Sequence, residues 1–196
     1  MAVFMSTGRI LNIPNILTLA RIALIPVFLA IAYWPPAIGI AEHHGGMMRH
    51  LILTAIFVLA AVTDWFDGYL ARTLNQTSAF GRFLDPVADK LMVAAALIVL
   101  VQWQPTISMA FAAIVIISRE ITVSALREWM AELGARTSVA VSTVGKYKTA
   151  FQMIAISVFL LNWKPLEIWA YALLYTAVIL TLWSMFIYMK AAWPYL

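Results

Sequence analysis

Residues 64–90 read DWFDGYLARTLNQTSAFGRFLDPVADK. They lie between two apolar runs, each long enough to cross a bilayer at about 20 residues per helical span. Asp64 and Asp67 are spaced i,i+3, and Asp85 and Asp89 are spaced i,i+4. If both flanking runs are helical, each pair shares one helix face, and the two faces can converge on a common centre. Carboxylates gathered at a membrane boundary repel one another and lose hydration, so either some are protonated or a cation sits among them. All-oxygen ligands favour a hard divalent ion such as Mg²⁺, Mn²⁺ or Ca²⁺.

Outward from this stretch, the composition sets the class. The chain has 196 residues, 64% hydrophobic and 11% charged, with mean hydropathy +0.90. Soluble domains run at about 45–50% apolar and about 25% charged. The expectation is an all-α integral membrane protein with one membrane-embedded domain over residues 1–196. With 0 Cys there is no disulfide, thiol nucleophile or thiolate metal site. The net charge of +4 does not imply nucleic acid, because no basic stripe with interleaved aromatics is present. Lys and Arg in so apolar a chain are expected at the cytoplasmic, anionic membrane face.

Six spans are expected, near residues 15–34, 51–70, 85–103, 106–126, 149–163 and 167–189. A short amphipathic segment up to Asn12 is expected to lie along the interface. Ala30-Ile31-Ala32 has the form of a signal-peptidase site, but apolar sequence continues to Trp34, and the first span is expected to stay. After Pro35-Pro36, residues Glu42, His43, His44, Gly45, Gly46, Arg49 and His50 are expected to form a solvated loop, not a metal site. Pro105 should open the fourth span, which should run on as a polar helix to a stop at Gly134. Lys164-Pro165 should turn the chain between the last two spans. Eleven of the thirteen Lys and Arg fall on the side that holds the acidic stretch and both termini; only Arg49 and Lys164 fall opposite. That bias puts the acidic stretch and both termini in the cytoplasm, and Trp34, Trp103, Trp163 and Trp193 near span ends suit interfacial anchoring.

The acidic stretch has the pattern D-x2-D-G-x2-A-R-x8-G-x3-D-x3-D. Gly68, Ala71 and Gly81 remove bulk beside the acids, so a ligand or a neighbouring backbone can approach. Arg72 can meet a phosphate as a bidentate donor. Metal, small residues and an arginine at a membrane surface suit a diphosphate substrate with a lipid tail. A carboxylate left partly free can take a proton from an attacking alcohol. A charge network that only fixes helix packing is the plainer alternative, but four acids in one short stretch of an acid-poor membrane chain weigh against it.

Asp64, Asp67, Gly68, Ala71, Arg72, Gly81, Asp85 and Asp89 together resemble the full signature of the CDP-alcohol phosphotransferases. The resemblance implies six transmembrane helices in a homodimer, with two divalent ions, Mg²⁺ or Mn²⁺, held by Asp64, Asp67, Asp85 and Asp89. Asp89 would also be the base on the acceptor hydroxyl. Asp67, Gly68, Ala71, Arg72 and Gly81 would shape the site for the CDP-linked donor, and CMP would leave. Asn12 to Arg21, Ser118-Arg119-Glu120 with Ser124 to Trp129, and Gly145 to Thr149 resemble the bacterial phosphatidylglycerophosphate synthases within that family. This implies CDP-diacylglycerol as donor, glycerol 3-phosphate as acceptor, and a place in the bacterial inner membrane. Arg119, Arg127, Lys146, Lys148, Thr18 and Arg21 are the expected acceptor-phosphate residues. Each of the first four can also be read as positive-inside bias with i,i+4 pairing, and Arg21 can snorkel to the interface. Phosphatidylglycerol, serine and an inositol phosphate remain alternative acceptors. A divalent-cation transporter is a further alternative, but it would hold its acids near the bilayer midplane on broken helices.

Overall fold

A computed structural model describes residues 13–34, 42–73, 79–134 and 143–195, and among these the structure is helical without strands. The expected interfacial segment up to Asn12 lies outside them. Six long helices follow in order: α1 Ile13–Tyr33, α2 Glu42–Thr73, α3 Ala79–Trp103, α4 Ile107–Glu132, α5 Thr143–Leu161 and α6 Glu167–Ala192. Four described segments, within α1, within α2, α4, and Lys164–Tyr195 containing α6, are long and apolar enough to cross a membrane, and Tyr147–Leu161 in α5 is a shorter apolar helix. In α3 the first half carries Asp85, Asp89 and Lys90, so its uncharged part is confined to residues 91–103. The chain divides into two compact units, one up to Ala95 and one from Ala96.

In the first unit α1 packs on α2. Pro14 stands in the first turn of α1, where its missing N–H leaves no bond unmade. Phe28 and Ala32 of α1 and Leu53, Phe57 and Ala60 of α2 are buried. The hydroxyls of Thr54 and Thr63 donate to the carbonyls of His50 and Leu59 one turn back, at 2.8 and 2.6 Å. A polar side chain on an apolar helix is thereby satisfied by its own backbone. One expectation is corrected here: residues 42–50 are helical, not a loop. Two glycines cost only about 1 kcal/mol each in a helix interior, and the apolar run that follows carries the helix back through them. Arg49 Nη2 donates to the Trp34 carbonyl at the end of α1, at 3.0 Å.

In the second unit α6 packs on α5 and α4. Thr106 caps α4, its Oγ1 accepting from Met109 N at 3.2 Å. Beyond the other end, Gly134 takes φ +75° and its N–H donates to the Ala131 carbonyl at 3.2 Å, the expected stop. Lys164–Leu166 forms a single 3-10 turn into α6. The buried face of α6 is Ala170, Leu174, Ala177, Val178, Thr181, Ser184, Tyr188 and Ala192, a stripe at three- and four-residue spacing with mostly small side chains. Small residues let helices approach closely where lipid removes the hydrophobic drive between them. Val123 and Met130 of α4 meet Tyr188 and Ala192 there, flanked by Leu126 and Trp129. The opposite faces are apolar and open: Ile107, Ile114 and Ile121 on α4, and Ile168, Trp169, Ile179 and Phe186 on α6, are all exposed. Such a surface suits lipid, not water. Trp34, Trp163 and Trp193 are exposed at helix ends, as interfacial anchors would be.

Candidate functional site

The acids stand where the spacing placed them. Asp64 and Asp67 are on helical α2, and Asp85 and Asp89 are on the first half of α3, so each pair shares a helix face. Gly81 is buried in the first turn of α3. Gly68, Ala71 and Arg72 continue α2 beyond Asp67; the side chains of Asp67 and of these three lie outside the described residues.

What α1 adds is a second row of polar groups. Thr18 and Arg21 are one turn apart on a mostly apolar helix, 0% and 1% exposed. The Thr18 hydroxyl donates to Asp85 Oδ1 at 2.6 Å, and Arg21 Nη1 donates to Asp64 Oδ1, also at 2.6 Å. Arg21 therefore does not snorkel; its charge is met by an acid on the neighbouring helix. Asp64 keeps a side chain 43% exposed, and Asp85 and Asp89 are half-buried. Each acid is anchored through one oxygen, and among the described residues the second oxygen of Asp64 and of Asp85 receives no hydrogen bond. That donor set, hard and anionic, fits a divalent cation. No three His, Cys, Asp or Glu form a metal cage among the described residues, which leave out the Asp67 carboxylate.

The second unit carries its own polar cluster. Arg119 on α4 is 8% exposed and Lys148 on α5 is 3% exposed. Both meet one carboxylate oxygen: Lys148 Nζ is ion-paired with Glu120 Oε1, and Arg119 Nη1 lies 3.4 Å from the same atom. Arg119 Nη2 donates to Ser184 Oγ at 2.9 Å, and the guanidinium carbon lies 5.5 Å from the centre of the Tyr188 ring, within cation–π range. Two buried cations share one anion, so the cluster carries a net positive charge suited to an anionic ligand. Arg127 is exposed two turns further along α4. Lys146 is on helical α5, with its side chain outside the described residues. The structure thus brings Arg119 and Lys148 together and puts Thr18 and Arg21 on the acids. Glu120, Ser184 and Tyr188 had no assigned role in the sequence. A lone acid within the apolar run of α4 was the signal for Glu120; a serine in a neutral helix gave none.

Residues 11–183 match the family model described as CDP-alcohol phosphatidyltransferase, a span that includes the acidic stretch and both clusters apart from Ser184 and Tyr188. The chain belongs to the CDP-alcohol phosphatidyltransferase family. Curated relatives extend the match. A protein of Pectobacterium atrosepticum is 50% identical over 184 residues, 92% of this chain and 94% of its own length. One of Haemophilus influenzae is 50% identical over 182 residues, 92% and 93% of the two chains. One of Pseudomonas fluorescens is 48% identical over 190 residues, 95% and 92%. All three are named CDP-diacylglycerol–glycerol-3-phosphate 3-phosphatidyltransferase. The acids anchored on α2 and α3 suit a cation, and the net-positive cluster on α4 and α5 suits an anion.

Proposed function

We propose that this chain transfers the phosphatidyl group of CDP-diacylglycerol to sn-glycerol 3-phosphate, giving phosphatidylglycerophosphate and CMP, as the names of its relatives describe for them. The observation that carries the acceptor is the Arg119–Glu120–Lys148 cluster. A phosphate bearing about two negative charges needs buried donors to replace its water, and a guanidinium fork with a neighbouring ammonium is well suited. Serine, a zwitterion, and phosphatidylglycerol, a phosphodiester with one negative charge, differ from glycerol 3-phosphate in charge, whereas an inositol phosphate bears the same phosphomonoester and differs in the bulk of its ring.

Asp64, Asp67, Asp85 and Asp89 would hold Mg²⁺ or Mn²⁺, two ions in all, and the ions would neutralise the donor's diphosphate and stabilise charge on the leaving oxygen. Asp67, Gly68, Ala71, Arg72 and Gly81 receive the CDP portion. The acceptor hydroxyl attacks the phosphorus that bears diacylglycerol, its proton passes to the Asp89 carboxylate, and the bond from that phosphorus to the bridging oxygen breaks. CMP leaves with the bridging oxygen and its electron pair. Thr18 and Arg21 fix the Asp85 and Asp64 carboxylates beside which this occurs. Arg119, Lys148, Arg127 and Lys146 hold the acceptor phosphate. The chain acts as one catalytic domain of six spans with both termini and the acidic stretch in the cytoplasm, paired in a homodimer. The eleven-to-two split of Lys and Arg supports that orientation.

The test is turnover of CDP-diacylglycerol by purified protein with glycerol 3-phosphate, serine, phosphatidylglycerol or inositol phosphate as sole acceptor. Phosphatidylglycerophosphate from the first, at a rate at least about ten times that with any other, is expected; preference for another acceptor overturns the assignment. A ten-fold preference is about 1.4 kcal/mol of transition-state discrimination.

A further inference from the structure

We propose that Ser184 of α6 is a positioning residue for acceptor recognition: it holds Arg119 so that the unbonded Nε–H of the guanidinium is left to donate to the acceptor phosphate. The inference rests on the reading of Arg119 as an acceptor-phosphate donor. Ser184 is fully buried. Its hydroxyl donates to the Thr181 carbonyl in its own helix at 2.9 Å and accepts from Arg119 Nη2 at 2.9 Å. A hydroxyl has one proton to give. Since it is spent on Thr181, the lone pairs are turned toward Arg119, and the polarity of the contact is fixed by α6 itself.

The rest of the guanidinium is held on two further sides. Nη1 faces Glu120 Oε1 at 3.4 Å, and the Tyr188 ring lies 5.5 Å from the guanidinium carbon. Nε is the exception: it is buried and has no hydrogen-bond partner among the described residues. A buried donor left unmet is costly, and a purely structural arginine with three fixed neighbours has no reason to carry one. An anionic oxygen supplied by a ligand would meet it. The plain role for Ser184, satisfying a polar group in a lipid-facing bundle, is already met by its bond to Thr181, so the bond to Arg119 is additional. Ser184 also lies just beyond the family-matched residues 11–183, and it is reached through the geometry alone.

The experiment compares Ser184→Ala, Ser184→Thr, Arg119→Ala and the double Ser184→Ala/Arg119→Ala, measuring initial rate against glycerol 3-phosphate and, separately, against CDP-diacylglycerol. Ser184→Ala is expected to raise the acceptor KM about five-fold, with kcat and donor KM changed less than about two-fold. Threonine, which keeps the hydroxyl, should restore the acceptor KM, and alanine at 184 should add nothing once Arg119 is gone. Should Ser184→Ala not give monodisperse protein, Ser184→Cys, similar in size but a poor acceptor, is read in the same way. A raised acceptor KM in Arg119→Ala with no change in Ser184→Ala overturns the positioning role alone. So does an equal loss of kcat and donor affinity that threonine does not rescue. An unchanged acceptor KM in Arg119→Ala overturns the reading of Arg119 and the proposal with it.

Discussion

Removing either partner of the Arg21–Asp64 pair should cost unequal amounts, and the inequality follows from burial. Arg21 is 1% exposed and donates at 2.6 Å to an Asp64 side chain that is 43% exposed. Asp64→Ala takes the 2.6 Å acceptor from an Nη1 donor that water does not reach, at a cost of about 3 kcal/mol, the upper end for a hydrogen bond to a charged group. Arg21→Met keeps the apolar stem and leaves a carboxylate that water does reach, so only the charged hydrogen bond is lost, about 1.5 kcal/mol. At roughly 2–4 °C per kcal/mol for a chain of this size, the melting temperature should fall about 6–12 °C in the first variant and about 3–6 °C in the second. The double variant should fall short of the sum by about 1.5 kcal/mol, the coupling energy of the pair. The assay is thermal unfolding of detergent-solubilised protein in EDTA, so that no divalent ion contributes. Additivity within about 0.5 kcal/mol, or a larger loss in Arg21→Met than in Asp64→Ala, would refute this account of α1 as the anchor of the acids.

Three further outcomes are expected. Thr18→Val, nearly equal in shape, removes the hydroxyl donor to Asp85 and should cost about 1 kcal/mol; Thr18→Ser should recover most of it, and equal melting for wild type and valine would remove the hydrogen bond from the account. Gly134→Ala should destabilise by about 1 kcal/mol through backbone strain alone, since φ is +75° and no atom lies within 4 Å of an added Cβ; chemical denaturation of the two proteins checks it. Asp89→Asn should lower kcat while CDP-diacylglycerol still binds, and intact kcat with lost donor binding would take Asp89 out of the base role.

The helices were legible because each is an apolar run bounded by local signals. Thr106 and Gly134 did what their residue types permit, and the two aspartate pairs needed only helical backbone to acquire a common face. The reading failed at residues 42–50, where histidines and paired glycines suggested a loop and the helix of the adjoining span ran through them. Partners across the fold were the other gap. Arg21 in an apolar span announces a need for an anion, but not that Asp64, 43 positions on, will supply it. The same holds for Lys148 and Glu120, 28 apart, and for Arg119 and Ser184, 65 apart. Hydropathy orders residues by depth and face, and it carries no information on which buried polar groups will meet.

The most direct test of the central claim is CMP release from CDP-diacylglycerol and glycerol 3-phosphate by metal-stripped protein, followed as Mg²⁺ or Mn²⁺ is added back. With the diphosphate and the aspartates of α2 and α3 repelling one another in the absence of an ion, release should be at background in excess EDTA and return with either metal. Asp85→Asn should stay at background throughout. Full turnover in excess EDTA would contradict the claim that these acids work by holding a divalent ion against the donor.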